Sequence, residues 1–126
     1  MSLYSNNYTF LPLSRAPSYS ITINVAARRL TLLRDGKVFK SYPIAVGKPS
    51  TPTPRGNFTI INKQVNPGGP FGARWLGLSK KGYGIHGTNN PSSIGKAVSN
   101  GCIRLHNANV IELFNLVGVG TPVRFV

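Results

Sequence analysis

Apolar and polar positions alternate with a period of two over much of this chain. Ile21, Ile23 and Val25 alternate with Thr22 and Asn24, which predicts a half-buried strand. Leu30 to Leu33 predicts a second strand. Arg34-Asp35-Gly36-Lys37 then sets Asp-Gly between two apolar runs, the signal of a tight hairpin, with a return strand expected from Val38 to Val46. Pro49, Pro52 and Pro54 take backbone donors out of the segment Lys48 to Gly56, so it reads as a loop. Phe58 to Ile61 predicts a strand, and Asn66-Pro67-Gly68-Gly69-Pro70 a second loop. Arg74 to Leu78 and Tyr83 to His86 predict a strand pair around a Lys80-Lys81-Gly82 turn. Thr88 to Gly95 is polar and loop-like, and a short strand is expected near Ile103 to Leu105.

One helix stands out. Val110, Leu113, Phe114 and Val117 fall at i, i+3, i+4 and i+7, a single apolar stripe. Asn109 with Glu112 three residues on predicts a capping box at its start, and Gly118 and Gly120 stop it. Val123 and Phe125 alternate in a last strand. The expected architecture is mainly β, a sandwich or barrel with one short helix packed on it. Residues 1–18 show no clear period and read as an N-terminal tail or edge segment; residues 19–126 read as one domain.

Composition narrows the chemistry. At 126 residues and 40% hydrophobic, the chain can bury a core without disulfide or metal staples. Its single cysteine, Cys102, excludes an intrachain disulfide. Fifteen Lys and Arg face two acids, Asp35 and Glu112, for a net charge of +13. Such a charge attracts polyanions: nucleic acid, anionic lipid, or the acidic polymers of a bacterial wall. No run of about 18 apolar residues is present to span a membrane. Met1-Ser2-Leu3-Tyr4 has neither the basic nor the apolar region of a secretion signal.

The scarcity of acids excludes more. Asp35 belongs to a turn and Glu112 to a helix start, which argues against a paired-carboxylate glycosidase or a serine triad. Cys102, His86 and His106 would be enough zinc ligands on paper, but lack the short-spaced pairs of zinc motifs. A Cys–His pair remains, its histidine oriented by a backbone carbonyl or a neutral side chain. Gly101 lets another group come close to Cys102. Arg104, two residues on, shares its strand face and favours the thiolate, so a lowered thiol pKa is expected. Ile103 and Leu105 point to the core. A lone cysteine is more often an inert core residue, and a lone histidine a structural one; it is their setting that argues for chemistry.

That setting is Tyr83-Gly84-Ile85-His86-Gly87-Thr88 followed by Ser99-Asn100-Gly101-Cys102-Ile103-Arg104. It resembles the L,D-transpeptidase (YkuD-type) catalytic domain, and the resemblance extends upstream to Val46-Gly47 and to Thr53-Pro54-x-Gly56 before Phe58. It implies a β-sandwich-like fold with Cys102 as nucleophile and His86 as base. Gly101 and Cys102 would offer backbone amides to the oxyanion. Arg104, Ser99, Asn100, Gly87 and Thr88 would bind substrate or support the site. Two positions depart from the common pattern: Asn100 stands where many members have His, and Asn109 where many have Asp. Asn cannot carry a proton at neutral pH, so a shaping role is expected for Asn100.

The activity implied is a two-step acyl transfer between the stem peptides of peptidoglycan, needing no cofactor and no metal, in a protein of the cell wall or spore, outside the cytoplasm. Water in place of the acceptor amine would make it an L,D-carboxypeptidase. The alternative from another class is a non-catalytic basic module that holds wall polymer, with Phe71, Trp75 and Tyr83 as a stacking surface. Nucleic acid is the less expected partner, and a monomer is expected.

Overall fold

A computed structural model describes residues 16–126 of the chain. Ten strands and one α-helix follow in order: β1 (Tyr19–Asn24), β2 (Arg29–Arg34), β3 (Lys37–Pro43), β4 (Val46–Gly47), β5 (Gly56–Val65), β6 (Arg74–Leu78), β7 (Gly84–His86), β8 (Ala97–Ser99), β9 (Ile103–Arg104), α1 (Asn107–Leu116) and β10 (Pro122–Phe125). Short 3-10 turns at Gly69–Phe71 and Pro91–Ser93 interrupt the β5–β6 and β7–β8 loops. The expected N-terminal tail lies almost entirely outside the described residues.

Eight strands form one curled sheet in the order β9-β7-β6-β5-β10-β1-β2-β3, and β4 pairs with β8 in a small second sheet. This is the mainly-β architecture that the alternation predicts. The Asp-Gly hairpin is present: Asp35 (φ 50°) and Gly36 (φ 81°) both adopt the left-handed conformation that a tight two-residue turn requires. Asp35 also accepts the Ser18 amide at 2.9 Å through Oδ1, which anchors the start of β1 to the turn.

Strand β5 is longer than Phe58–Ile61 because it serves two partners. Its first residues pair with β10 and, past an irregularity between Ile60 and Asn62, the rest pairs with β6. The return strand expected from Val38 to Val46 is split after Pro43, and Val46–Gly47 turns away to pair with β8. Strand β8 lies just beyond the predicted loop.

Register decides what each face carries. Tyr42, Leu30, Ile23 and Phe125 form one buried row across four strands, and Leu32, Ile21 and Val123 another. In the other half of the sheet, Leu76, Ile85 and Ile103 are opposite one another and fully buried. Leu105, Val110, Leu113 and Val117 close the core from the helix side. Burying each of these large aliphatic side chains contributes roughly 1.5–3 kcal/mol, which holds the register against a one-residue slip.

The helix starts two residues before the expected capping box. His106 is the N-cap residue and makes no side-chain cap bond. Asn109 therefore sits inside the first turn, and Glu112 is free for other partners. It accepts Tyr42 Oη–H at 2.6 Å and Lys40 Nζ at 3.1 Å, pinning the helix to β3. At the far end Lys63, from β5, donates to Phe114 O and Val117 O, each at 2.7 Å. A cation from another strand thus satisfies carbonyls that a helix C-terminus leaves open.

Candidate active site

The buried row Leu76–Ile85–Ile103 has a neighbour one residue along each strand: Trp75, His86 and Arg104 are also register partners. Successive strand residues face opposite ways, so the packing that buries the first row turns the second to the outer face. Cys102 immediately precedes β9. Pro70, Phe71, His86, Ser99, Asn100, Cys102 and Arg104 line one cleft of about 160 Å³. Chain segments far apart in sequence thus bring together the cysteine, the histidine and the arginine singled out above.

His86 is buried, and its Nδ1 lies 2.5 Å from Gly87 O. A carbonyl can only accept, so Nδ1 carries the proton and Nε2 of the neutral ring is left as a base. The expectation that a carbonyl and not an acid orients this histidine is met. Burial pushes the imidazole pKa down to about 4; the Gly87 contact works against this, and Arg104 adds to it. The ring stacks on Trp75 at 5.6 Å between centroids, 14° from parallel, and Phe71 meets it edge-on at 5.1 Å.

Cys102 is half-buried, and its Sγ lies 3.7 Å from Gly82 O. Here the structure corrects the expected low thiol pKa. Burial raises the thiol above its ordinary value, outweighing the Gly84 amide and Arg104, which both lower it. Arg104 acts in the expected sense but does not win. At neutral pH the pair therefore rests as thiol and imidazole, not as an ion pair.

The loop before Cys102 is shaped by residues on both sides. Gly101 has φ 118°, and a Cβ there would sit 2.6 Å from the Tyr83 ring. The group that Gly101 admits is therefore an aromatic side chain of the protein itself. Ser99 is buried; its hydroxyl donates to Cys102 O at 2.7 Å and accepts the Gly101 amide at 3.0 Å. The Gly101 amide, expected to face an oxyanion, is thus already committed to Ser99. Asn100 is exposed at the cleft.

Two further side chains, Thr53 and Asn107, position the segments around the cleft. Thr53, buried in the proline-rich loop, accepts Gly47 N–H at 2.8 Å and donates to Gly101 O at 2.9 Å. Asn107 accepts the amides of Ala73 at 3.0 Å and Thr88 at 3.1 Å, and donates to Thr88 O at 3.0 Å. A Cβ at Gly87 would strike this Asn107 side chain, which explains the glycine after the histidine. Thr88 itself is buried, and its hydroxyl accepts the Asn90 amide at 2.9 Å within the loop. Trp75 and Phe71 pack on each other as well as on His86, and are not a free stacking platform. Among the described residues, no three of His, Cys, Asp and Glu gather as metal ligands. None of their helices is long and apolar enough to cross a membrane.

A curled β-sheet that sets a cysteine and a carbonyl-held histidine in one cleft is the frame of this site. Comparison with known proteins specifies it. The profile of the YkuD family, the L,D-transpeptidase catalytic domain, matches residues 18–125. The chain is 64% identical over 105 residues to a putative L,D-transpeptidase YkuD of Bacillus subtilis, covering 83% of this chain and 64% of the relative. It is 43% identical over 120 residues to the putative L,D-transpeptidase YqjB of the same organism, covering 82% of this chain and 68% of the relative. Among solved structures, the catalytic domain of an Enterococcus faecium L,D-transpeptidase aligns with TM-score 0.76 and 29% identity, over 86% of this chain and 97% of that one. A complex of the L,D-transpeptidase LdtMt1 with imipenem aligns with TM-score 0.75 and 26% identity, over 87% of this chain and 59% of that one. The chain belongs to the L,D-transpeptidase catalytic domain family. It spans 64% of the length of the Bacillus subtilis YkuD relative.

Proposed function

We propose that this chain catalyses L,D-transpeptidation of peptidoglycan stem peptides with Cys102 as nucleophile and His86 as base. The observation that carries the reading is the shared cleft of Cys102 and His86, with His86 Nδ1 held by Gly87 O so that Nε2 is the basic atom. Membership of the family supplies the substrate class.

The resting state sets the order of events. A neutral thiol attacks only as its proton leaves, so His86 takes the Cys102 proton while Sγ bonds to the carbonyl of the third residue of a tetrapeptide. The oxyanion forms beside the Cys102 amide; one such donor is worth about 3 kcal/mol in comparable sites. The C–N bond to the terminal D-alanine breaks, and its amine departs with the proton from His86. A thioester remains on Cys102. The side-chain amine of a diamino acid in a second stem attacks it, giving its proton to His86, and the thiol is regenerated. Arg104 flanks the cleft as a cation for substrate carboxylates. Water as acceptor gives L,D-carboxypeptidase activity from the same intermediate. The net charge of +13 favours residence on an anionic wall outside the cytoplasm.

Mass spectrometry after incubation with disaccharide-tetrapeptide tests the reading. A cross-linked dimer lacking one D-alanine is expected, and a trimmed tripeptide if water competes. Neither product should form with Cys102→Ala. Unchanged tetrapeptide with the folded wild-type chain, or products that persist in Cys102→Ala, would overturn it.

A further inference from the structure

We infer that Trp75 is a positioning residue for the catalytic base: anchored by Asn62, its indole fixes the plane of the His86 ring and, with Phe71, shields it from water. The inference rests on the reading of His86 as base and adds a residue to it.

Trp75 and His86 are direct cross-strand partners in the β6–β7 pair. Their rings lie 14° from parallel with centroids 5.6 Å apart, an offset stack. Phe71 stands nearly perpendicular to both, at 87° to His86 and 78° to Trp75, so it closes on the stack from the edge. The indole is itself fixed on two sides. Its Nε1–H donates to Asn62 Oδ1 at 3.2 Å. Beneath it lies Gly84, where a Cβ would run into the ring, so the glycine two residues before His86 makes room for the tryptophan. Asn62 is in turn seated opposite Gly77, which has no side chain to displace it.

The relay has a chemical purpose. The bond from Nδ1 to Gly87 O defines which nitrogen is basic only while the ring keeps its plane. An imidazole free to turn about its terminal torsion, which has broad wells, would lose that bond for part of the time. A stacked indole removes that freedom, and it occupies volume that water would otherwise take. Burial is the main cause that holds the His86 pKa down at about 4. The charged and titratable groups around His86 are Arg104 and Cys102 at β9, Arg74 on β6 and His106 at the start of α1. Arg74 is turned to Ala73 O and Asn66 Oδ1, and its guanidinium lies over Phe114. Trp75 carries no charge, so its removal acts on His86 through solvation and ring freedom alone.

The test is titration of the His86 imidazole by NMR in wild type, Trp75→Leu and Trp75→Phe, with His106→Gln to assign the signals. Opening the stack in Trp75→Leu should move the midpoint up by about one pH unit or more, toward the ordinary 6.5. Trp75→Phe, which keeps an aromatic face, should hold the midpoint near the wild-type value. On a muropeptide donor, the acid limb of the rate should move with the titration, and kcat should fall about tenfold while KM changes less than about twofold. Where Trp75→Leu does not fold, Asn62→Ala replaces it and should shift the midpoint in the same direction. An unmoved midpoint in the folded variant overturns the inference, as does a loss that falls entirely on KM. The NMR titration needs no substrate. A chain inactive on muropeptides that still shows the shift would refute the proposed activity and leave the clamp standing. An active chain with an unmoved midpoint would refute the clamp alone.

Discussion

Asn107 holds Thr88 from both sides, accepting its amide at 3.1 Å and donating to its carbonyl at 3.0 Å, as one strand holds another. The same side chain takes the Ala73 amide at the start of β6. One residue at the head of the helix therefore fastens the chain just after His86-Gly87, and with it the carbonyl that orients the histidine. Asn107→Ala should cost about 2–3 kcal/mol in urea unfolding, for three bonds of about 1 kcal/mol each. Asn107→Asp keeps both acceptor bonds and should cost less. If the alanine variant unfolds at the wild-type midpoint, these bonds contribute nothing net.

Cys102 should alkylate as a thiol held above its ordinary pKa. The rate with iodoacetamide should climb through alkaline pH with a midpoint above the 9.0 of an unperturbed thiol, because burial outweighs Arg104 and the Gly84 amide. Arg104→Met removes one of the two opposing influences, so its midpoint should rise further. A wild-type midpoint below that of a free thiol would restore the activated-thiolate picture that the sequence suggests.

His86 should make the fold sensitive to acid. Its folded pKa of about 4 lies below the 6.5 of the unfolded chain, so the unfolded state binds more protons in between. Stability is thus fully present above pH 6.5 and declines as pH falls toward 4. The loss attributable to this group is on the order of 3 kcal/mol. Urea midpoints of wild type and His86→Gln at pH 7 and pH 4.5 separate it from other carboxylate and histidine effects. The variant should lose clearly less stability over that interval. Parallel losses in the two proteins would place the acid sensitivity elsewhere.

These contacts mark what a sequence does and does not display. Most of the strands were legible from alternation, though not β4 or β8, the β2–β3 turn from Asp35-Gly36, and the cleft residues from a glycine-flanked histidine and cysteine. Burial of Cys102 was not legible, because a two-residue offset to Arg104 gives the direction of a charge but not the solvent around the sulfur. Asn109 and Glu112 formed a valid local capping pattern, yet the helix begins at Asn107, and Glu112 goes to Tyr42 and Lys40 instead. The stack of Trp75 on His86 depends on the register of two strands, and the grip of Thr53 on Gly101 on a loop meeting a distant segment. Neither leaves a periodic trace.

The two acids offer the sharpest separation of structure from catalysis. Asp35 accepts the Ser18 amide in the β2–β3 turn, and Glu112, on the helix, accepts Tyr42 Oη–H and pairs with Lys40, both on β3. Neither lines the cleft, and His86 already has Gly87 O as its orienting acceptor. Asp35→Asn and Glu112→Gln should therefore change kcat/KM by less than about tenfold, or ~1.4 kcal/mol. His86→Ala, which removes the base, should cost on the order of 10² or more. Glu112→Gln should also lower the melting temperature, because the Lys40 pair and the charge behind the Tyr42 bond are lost, so rates are compared at a temperature where both proteins are folded. The carboxamide keeps an oxygen for Tyr42, whereas Glu112→Leu keeps none and should melt lower still. A folded Asp35→Asn or Glu112→Gln protein as inactive as His86→Ala would mean that a carboxylate works on the histidine during turnover. The carbonyl of Gly87 would then be a resting contact and not the group that sets the tautomer.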